Sequence, residues 1–271
     1  MNRLWLGLGS VLALIAISAY FWLRQAPTPQ LPPPVAVVAP PAVAPEKPAI
    51  NYPLPEPRGM AELPPIGQSD AFVRERMAEL LSAQNIKTHL VIEEFVRRVA
   101  ATVDNLARPF APPGKWPFRQ TPGRFTVDTG ADGSVIAAKN AARYRPFVAL
   151  VESVDTERGA AVYRQLYPLF QRAYEELGYP GKYFNDRLVA MIDLLLATPE
   201  PSGALKVEMP EIRGPLKPAQ PWVLYRYSDP AFEGLSSGQK ILLRVGRDNA
   251  KRLKAKHAEF RKAIAGDKAG R

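Results

Sequence analysis

The stretch that decides the fold is 162–197, VYRQLYPLFQRAYEELGYPGKYFNDRLVAMIDLLLA. Val162, Leu166, Leu169, Phe170, Ala173 and Leu177 recur at steps of three and four, which lays one apolar stripe along a helix. Gly178 supplies a left-handed stop and Pro180 forbids continuation. Phe184, Leu188, Ile192 and Leu195 form a second stripe that ends near Pro199. Two such stripes are expected to bury each other, with the rest of the folded chain packed around them.

Working outward, the surrounding sequence adds more helices. Ser69 or Asp70 is placed to cap a helix carrying Phe72, Val73, Met77, Leu80 and Leu81. A longer helix follows with Ile92, Phe95, Val96, Val99, Val103 and Leu106 on one face, ending before Pro109. Residues 109–124, rich in Pro, Gly and Arg, read as an ordered loop. The run 124–136, RFTVDTGADGSVI, reads as a hairpin closed by an Asp-Gly turn. Tyr144, Phe147, Val148, Val151 and Val154 mark the next helix, and Asp155 or Thr156 caps the central pair. After Pro201 there is one extended patch, 222–227. Asp229-Pro230 then opens a short helix, Ser236 opens another that Gly246 closes, and a final helix runs from Arg247 to Ala265. The last stripe is Ala250, Leu253, His257, Phe260 and Ile264.

Upstream of this region the chain changes character twice. Residues 4–23, LWLGLGSVLALIAISAYFWL, are 20 positions without a charge. At 1.5 Å per residue they span about 30 Å, the thickness of a bilayer core. Arg3 and Arg24 flank them, and Trp5, Tyr20 and Trp22 sit where interfacial aromatics belong. The Ala16-Ile17-Ser18 run resembles a cleavage site. The apolar stretch nevertheless outlasts a signal peptide's 7–15 residues, so an uncleaved anchor is expected. Such a start with a short tail places the bulk of the chain outside the cytoplasm. Residues 25–67 then hold 14 of the 29 prolines. With few backbone donors they read as a disordered, partly polyproline-II linker that reaches about 130 Å if extended at 3.1 Å per residue.

The expected layout is therefore a tail at 1–3, a transmembrane helix at 4–23, a linker at 24–67, a mainly α-helical domain with a small β hairpin at 68–266, and a tail at 267–271. The absence of cysteine excludes disulfides and thiolate metal sites.

YEELGYPGKYFNDRLV, DAFVRE from Asp70, VDNLAR from Val103 and SDPAFEGLSSGQKILLRVG resemble a bacterial domain-of-unknown-function family numbered 3014. The similarity runs over most of 60–265. The resemblance implies a Gram-negative envelope protein with a membrane helix, a Pro-rich linker and a helical domain, and it brings no activity or catalytic residues.

Candidate chemistry is sparse. Val127-Asp128-Thr129-Gly130-Ala131 looks like the Asp-Thr-Gly-Ala loop of retropepsin-type proteases, in which two carboxylates share one proton, so Asp128 would have to act in a dimer. The residues after Ile136 turn helical instead of supplying the strands that fold needs, and turn chemistry explains the same Asp and Gly. Glu175 and Glu176, adjacent on a helix, point about 100° apart and make no acid pair. Asn185-Asp186-Arg187 reads as a helix cap and dipole partner. His89 and His257 lie on different helices without metal spacing, and no cofactor motif is present. Net charge is +10, and residues 236–271 hold 11 Lys and Arg against 3 Asp and Glu. Arg247, Lys251, Arg252, Lys254, Lys256, Arg261 and Lys262 would project mainly to solvent. As a basic face they would meet an anionic surface, either acidic lipid or an envelope protein. Nucleic acid is disfavoured because interleaved aromatics are absent. The reading is a single-pass inner-membrane protein with a periplasmic, non-enzymatic interaction or scaffolding module. Its alternatives are the Asp128 protease and a cytoplasm-facing module that binds an anionic partner.

Overall fold

The computed structural model describes residues 49–55, 63–211 and 218–265. The chain divides into two units, 1–46 and 47–271, and every described residue lies in the second. The expected membrane span at 4–23 and most of the expected linker fall outside the described residues. Among those described, no helix is long and apolar enough to cross a membrane.

In chain order the helices are α1 (Asp70–Ala78), α2 (Ala83–His89), α3 (Phe95–Leu106), α4 (Asn140–Ser153), α5 (Thr156–Glu176), α6 (Phe184–Leu196), α7 (Pro230–Glu233), α8 (Ser237–Arg244) and α9 (Arg247–Ala265). The strands are β1 (Val127–Gly130), β2 (Gly133–Ile136), β3 (Lys206–Glu208) and β4 (Arg226–Tyr227). The domain is mainly helical.

The central pair forms where the periodicity puts it. The Asp155 carboxylate accepts the Arg158 N–H at 2.8 Å and opens α5. Val162, Leu166, Leu169, Phe170 and Ala173 are buried. Leu177 is not: the helix ends at Glu176, and Leu177, one residue beyond, is 44% exposed. Gly178 stops the helix at φ +99°. Helix α5 runs through Pro168, which has no N–H to offer the fourth residue back, and the buried Leu166 and Leu169 beside it hold the helix against that loss. On α6, Phe184, Leu188, Ile192 and Leu195 are all buried.

The two stripes meet, with the Phe170 and Phe184 rings 5.8 Å apart, but they bury more against other helices. Helix α3 packs on both α5 and α6, and α9 packs on α4, α5 and α6. The core is therefore shared among helices far apart in sequence, with Val96, Ala100, Val103, Leu253 and Ile264 contributing from outside the central stretch.

Local chemistry accounts for the other departures. Ser69 occupies the cap position of α1, but its wholly buried hydroxyl donates to the Ile66 carbonyl at 2.7 Å, and Asp70 Oδ2 accepts the Glu94 N–H at 3.0 Å. The expected long helix is present but starts later than its stripe, after a separate short helix. Ser82 caps the short α2, Glu94 turns left-handed at φ +52°, and α3 starts only at Phe95. Ile92 is buried ahead of the helix it was expected to join. The hairpin is present, with Asp128 opposite Val135, but it is half of a four-stranded antiparallel sheet in the order β1-β2-β3-β4. Val207 of β3 and Tyr227 of β4 close a second small core with Leu243.

The folded unit also begins earlier than residue 68, which corrects the expected linker boundary. Leu63 and Ile66 pack on the main core, and so do Tyr52 and Leu54 from the segment 49–55. Apolar residues interleaved among prolines gave that segment something to bury, so it does not behave as plain spacer.

Candidate functional site

The basic residues of α9 are placed by the stripe beneath them, yet most of them are engaged within the chain. Arg252 grips Glu152 of α4 and Arg261 grips Asp193 of α6, each with two guanidinium nitrogens. Lys254 Nζ donates to the Thr198 carbonyl at 2.6 Å and to Glu200 Oε1 at 3.0 Å. Lys256 Nζ reaches Thr156 Oγ1 at 3.0 Å and Glu259 Oε2 at 3.2 Å, and Arg247 donates to the Pro201 carbonyl. The exposed Lys251 and Lys262 carry none of these contacts. Arg247, Lys251, Arg252 and Lys262 are exposed and Lys254, Lys256 and Arg261 half-buried, so the row lies at the surface as expected of a mainly solvent-facing set, while most of its members are also engaged within the chain. The neighbouring helices carry acids at matching positions, so the row of cations also clamps α9 to them. The guanidinium of Arg252 holds the Glu152 carboxyl below the usual carboxylate range, and Asp193 raises Arg261.

Arg247 and Lys254 share a second feature: both line a cavity of about 270 Å³ at the start of α9. The start of α4, the loop 198–203 and the junction of α8 with α9 enclose it. At that junction Gly246 has φ +89°, and a Cβ there would lie 2.9 Å from the Ala141 Cβ. Only glycine lets the two helix starts come this close.

Asp128 lies exposed on β1, opposite Val135. Glu176 accepts from Arg97 Nε at 3.1 Å and Glu175 from Gln171 Nε2 at 2.7 Å, so both serve as surface partners. His89 ends α2 and His257 lies within α9. Among the described residues no group of three His, Asp or Glu side chains could hold a metal ion.

Asn185-Asp186-Arg187 turns out to be a junction, a role that cap chemistry alone did not disclose. Asn185, wholly buried, donates to the carbonyls of Tyr52 at 2.9 Å and Ile264 at 3.1 Å and accepts the Tyr163 hydroxyl at 2.9 Å. Asp186 accepts the backbone N–H groups of Asn51 and Tyr52 at 2.9 and 2.8 Å. Tyr183 Oη accepts the Leu54 N–H at 2.9 Å, and the Arg261 guanidinium lies 5.8 Å from the Tyr52 ring centroid. Arg187 turns the other way and donates to Asp104 Oδ1 at 3.1 Å. Asp104, its side chain 9% exposed, also takes Arg108 at 2.6 Å and the Tyr179 hydroxyl at 3.2 Å.

Three of the sequence runs singled out above therefore meet at the end of α3. VDNLAR supplies Asp104 and Arg108, and YEELGYPGKYFNDRLV supplies Tyr179 and Arg187. The SSGQK run supplies Ser237, whose hydroxyl donates to the Asn105 carbonyl at 3.1 Å. Gly238 packs so closely that a Cβ there would sit 2.7 Å from Leu195 Cδ2.

A family model described as protein of unknown function, DUF3014, matches residues 95–261. The chain belongs to this family. The DUF3014 match runs from the start of α3 into the last turns of α9, so it contains the Asp104 cluster, the Asn185-Asp186-Arg187 run and the cavity, while the docked segment 49–55 lies before it and Ile264 after it. No curated protein and no solved structure matches the chain.

Proposed function

We propose that this DUF3014 protein is a single-pass protein of the bacterial inner membrane, whose helical domain is held in the periplasm as a non-enzymatic interaction or scaffolding module. The charge-free run 4–23 between Arg3 and Arg24 would be the anchor, and the Pro-rich segment the stalk. The observation that carries the reading is the seat of the described stalk segment 49–55. Four hydrogen bonds from Tyr183, Asn185 and Asp186 hold the backbone of residues 51–54. Bonds to backbone atoms fix a path for the chain without asking for particular side chains. A domain gripping its own stalk this way fixes where that segment meets it, beside the end of α9. A spacer meant only to give reach would need no such seat.

The test is made on the full-length chain in cells. It should pellet with membranes and resist alkaline carbonate extraction, and a periplasm-dependent phosphatase fused after Arg271 should be active. An extractable protein would sink the anchor. An inactive phosphatase beside an active cytosolic reporter would turn the domain to the cytoplasm. Asp128→Asn should complement a deletion strain as well as wild type does; loss of complementation at normal protein level would favour the protease reading instead.

A further inference from the structure

The cavity at the start of α9 combines apolar walls with an excess of positive charge. At about 270 Å³ it is smaller than the roughly 300–1,000 Å³ of pockets that take drug-sized ligands, so an occupant would be small. Ile136, Leu205 and Leu242 give it apolar walls. Among the described residues three cations line it, Arg244, Arg247 and Lys254, against the carboxylate of Glu200; Lys254 already holds Glu200 at 3.0 Å and Arg244 donates to the Tyr225 carbonyl, which leaves two positive charges in excess. Arg247 donates to a neutral carbonyl, which directs its guanidinium without cancelling its charge. The Glu200 carboxyl reports the local field: Lys254, and then Lys251 and Arg247, hold it below its usual range. Helices α4 and α9 both begin at the rim, adding the positive ends of their backbone dipoles to the same side.

We propose that this cavity binds a small phosphate monoester, about the size of glycerol phosphate, with Arg247 and Lys254 on the phosphate and the apolar walls against its carbon skeleton. A dianion matches the excess of cations better than a carboxylate does, and an arginine fork suits phosphate oxygens. The phosphate could be carried by a soluble metabolite or by a lipid headgroup. The site does not depend on which way the domain faces.

The experiment uses the full-length chain in phosphatidylcholine nanodiscs, titrated calorimetrically with glycerol 3-phosphate, inorganic phosphate and glycerol. Saturable binding of glycerol 3-phosphate, weaker binding of inorganic phosphate and none of glycerol are expected. Arg247→Gln with Lys254→Gln should weaken binding at least tenfold. Gly203→Phe should do the same by bulk while leaving every charge in place, since a Cβ at Gly203 meets open space. Repeating the titration in phosphatidate nanodiscs separates the sources: binding lost there assigns the site to a lipid headgroup, and binding retained assigns it to a soluble ester. Heat indistinguishable from that of glycerol, or wild-type affinity in both variants, would overturn the proposal. Membrane fractionation is unaffected by either result, so this inference and the proposed function fail separately.

Discussion

Asn185 Nδ2 donates to the carbonyl oxygen of Tyr52 at 2.9 Å, across 133 residues of sequence. The same amide nitrogen donates to Ile264, near the C-terminal end of α9. One buried side chain thus ties both ends of the described chain to the start of α6. Asn185→Ala would leave the Tyr52 and Ile264 carbonyls and the Tyr163 hydroxyl without this partner. A buried polar group left unpaired costs about 1–3 kcal/mol, so the expected loss is about 3 kcal/mol by urea unfolding. Asp186→Ala, at the exposed edge of the junction, should cost far less overall. It should instead raise amide exchange at residues 51 and 52 while α5 and α6 stay protected.

Leu166→Ala and Leu188→Ala should each cost about 2–5 kcal/mol, because both side chains are buried in the shared core. The comparison with Leu177→Ala is the sharper test. That residue continues the same stripe in sequence but lies past the helix end, and its truncation should change the urea midpoint little. Equal losses at Leu166 and Leu177 would contradict the position of the helix terminus.

Gly238→Ala places a methyl 2.7 Å from Leu195 Cδ2 and 3.1 Å from the Leu106 carbonyl, where α8 meets α3 and α6. Overpacking of this kind costs about 1–3 kcal/mol. Gly130→Ala, with nothing within 4 Å, should be close to neutral. Thermal melts of the two variants against wild type decide it.

Burial lowers the His257 pKa to about 4, with no partner for its Nδ1 among the described residues. The folded state then binds fewer protons than the unfolded state between about pH 4 and pH 6.5. Its contribution to stability is fully present above pH 6.5 and is lost as pH falls toward 4. The residue is only half-buried, so the loss should be no more than about 2 kcal/mol. Carboxylates titrate over part of the same range, so the measurement is the difference between wild type and His257→Gln in urea midpoint at pH 7 and pH 4.5. His257→Gln should lose less on acidification. A parallel loss in both proteins would remove His257 from the account.

The cations of α9 should separate into two groups. Lys251→Gln with Lys262→Gln should leave the melting temperature unchanged and weaken any salt-sensitive association of the domain with anionic vesicles. Arg252→Gln with Arg261→Gln removes the grips on Glu152 and Asp193 and should raise amide exchange along α9. If both pairs behave alike in exchange, the clamp has no structural role.

Most of the helices, though not the short α2, were legible in the sequence because each one is a local problem. The 3.6-residue period of Val162–Ala173 and Phe184–Leu195, the left-handed stop at Gly178, the Asp155 cap and the helix start at Ser236 all act within a few residues, and each appears where the pattern puts it. Family membership was legible too, since it rests on runs of sequence. The identity of each stripe's partner was not. An apolar stripe specifies that something covers it, and α3 and α9 cover α5 and α6 more fully than those two cover each other. Strands β3 and β4, of three and two residues, are too short to carry a period; β3 forms on the edge that β2 gives it, and β4 on the edge of β3. The cations of α9 read as a solvated face because their acids stand on α4, α6 and the loop after it. The role of Asn185 depends on Tyr52 and Ile264, 133 and 79 residues away. Periodicity and capping are encoded over one or two turns of chain; pairing across a hundred residues is settled only when packing brings the surfaces together.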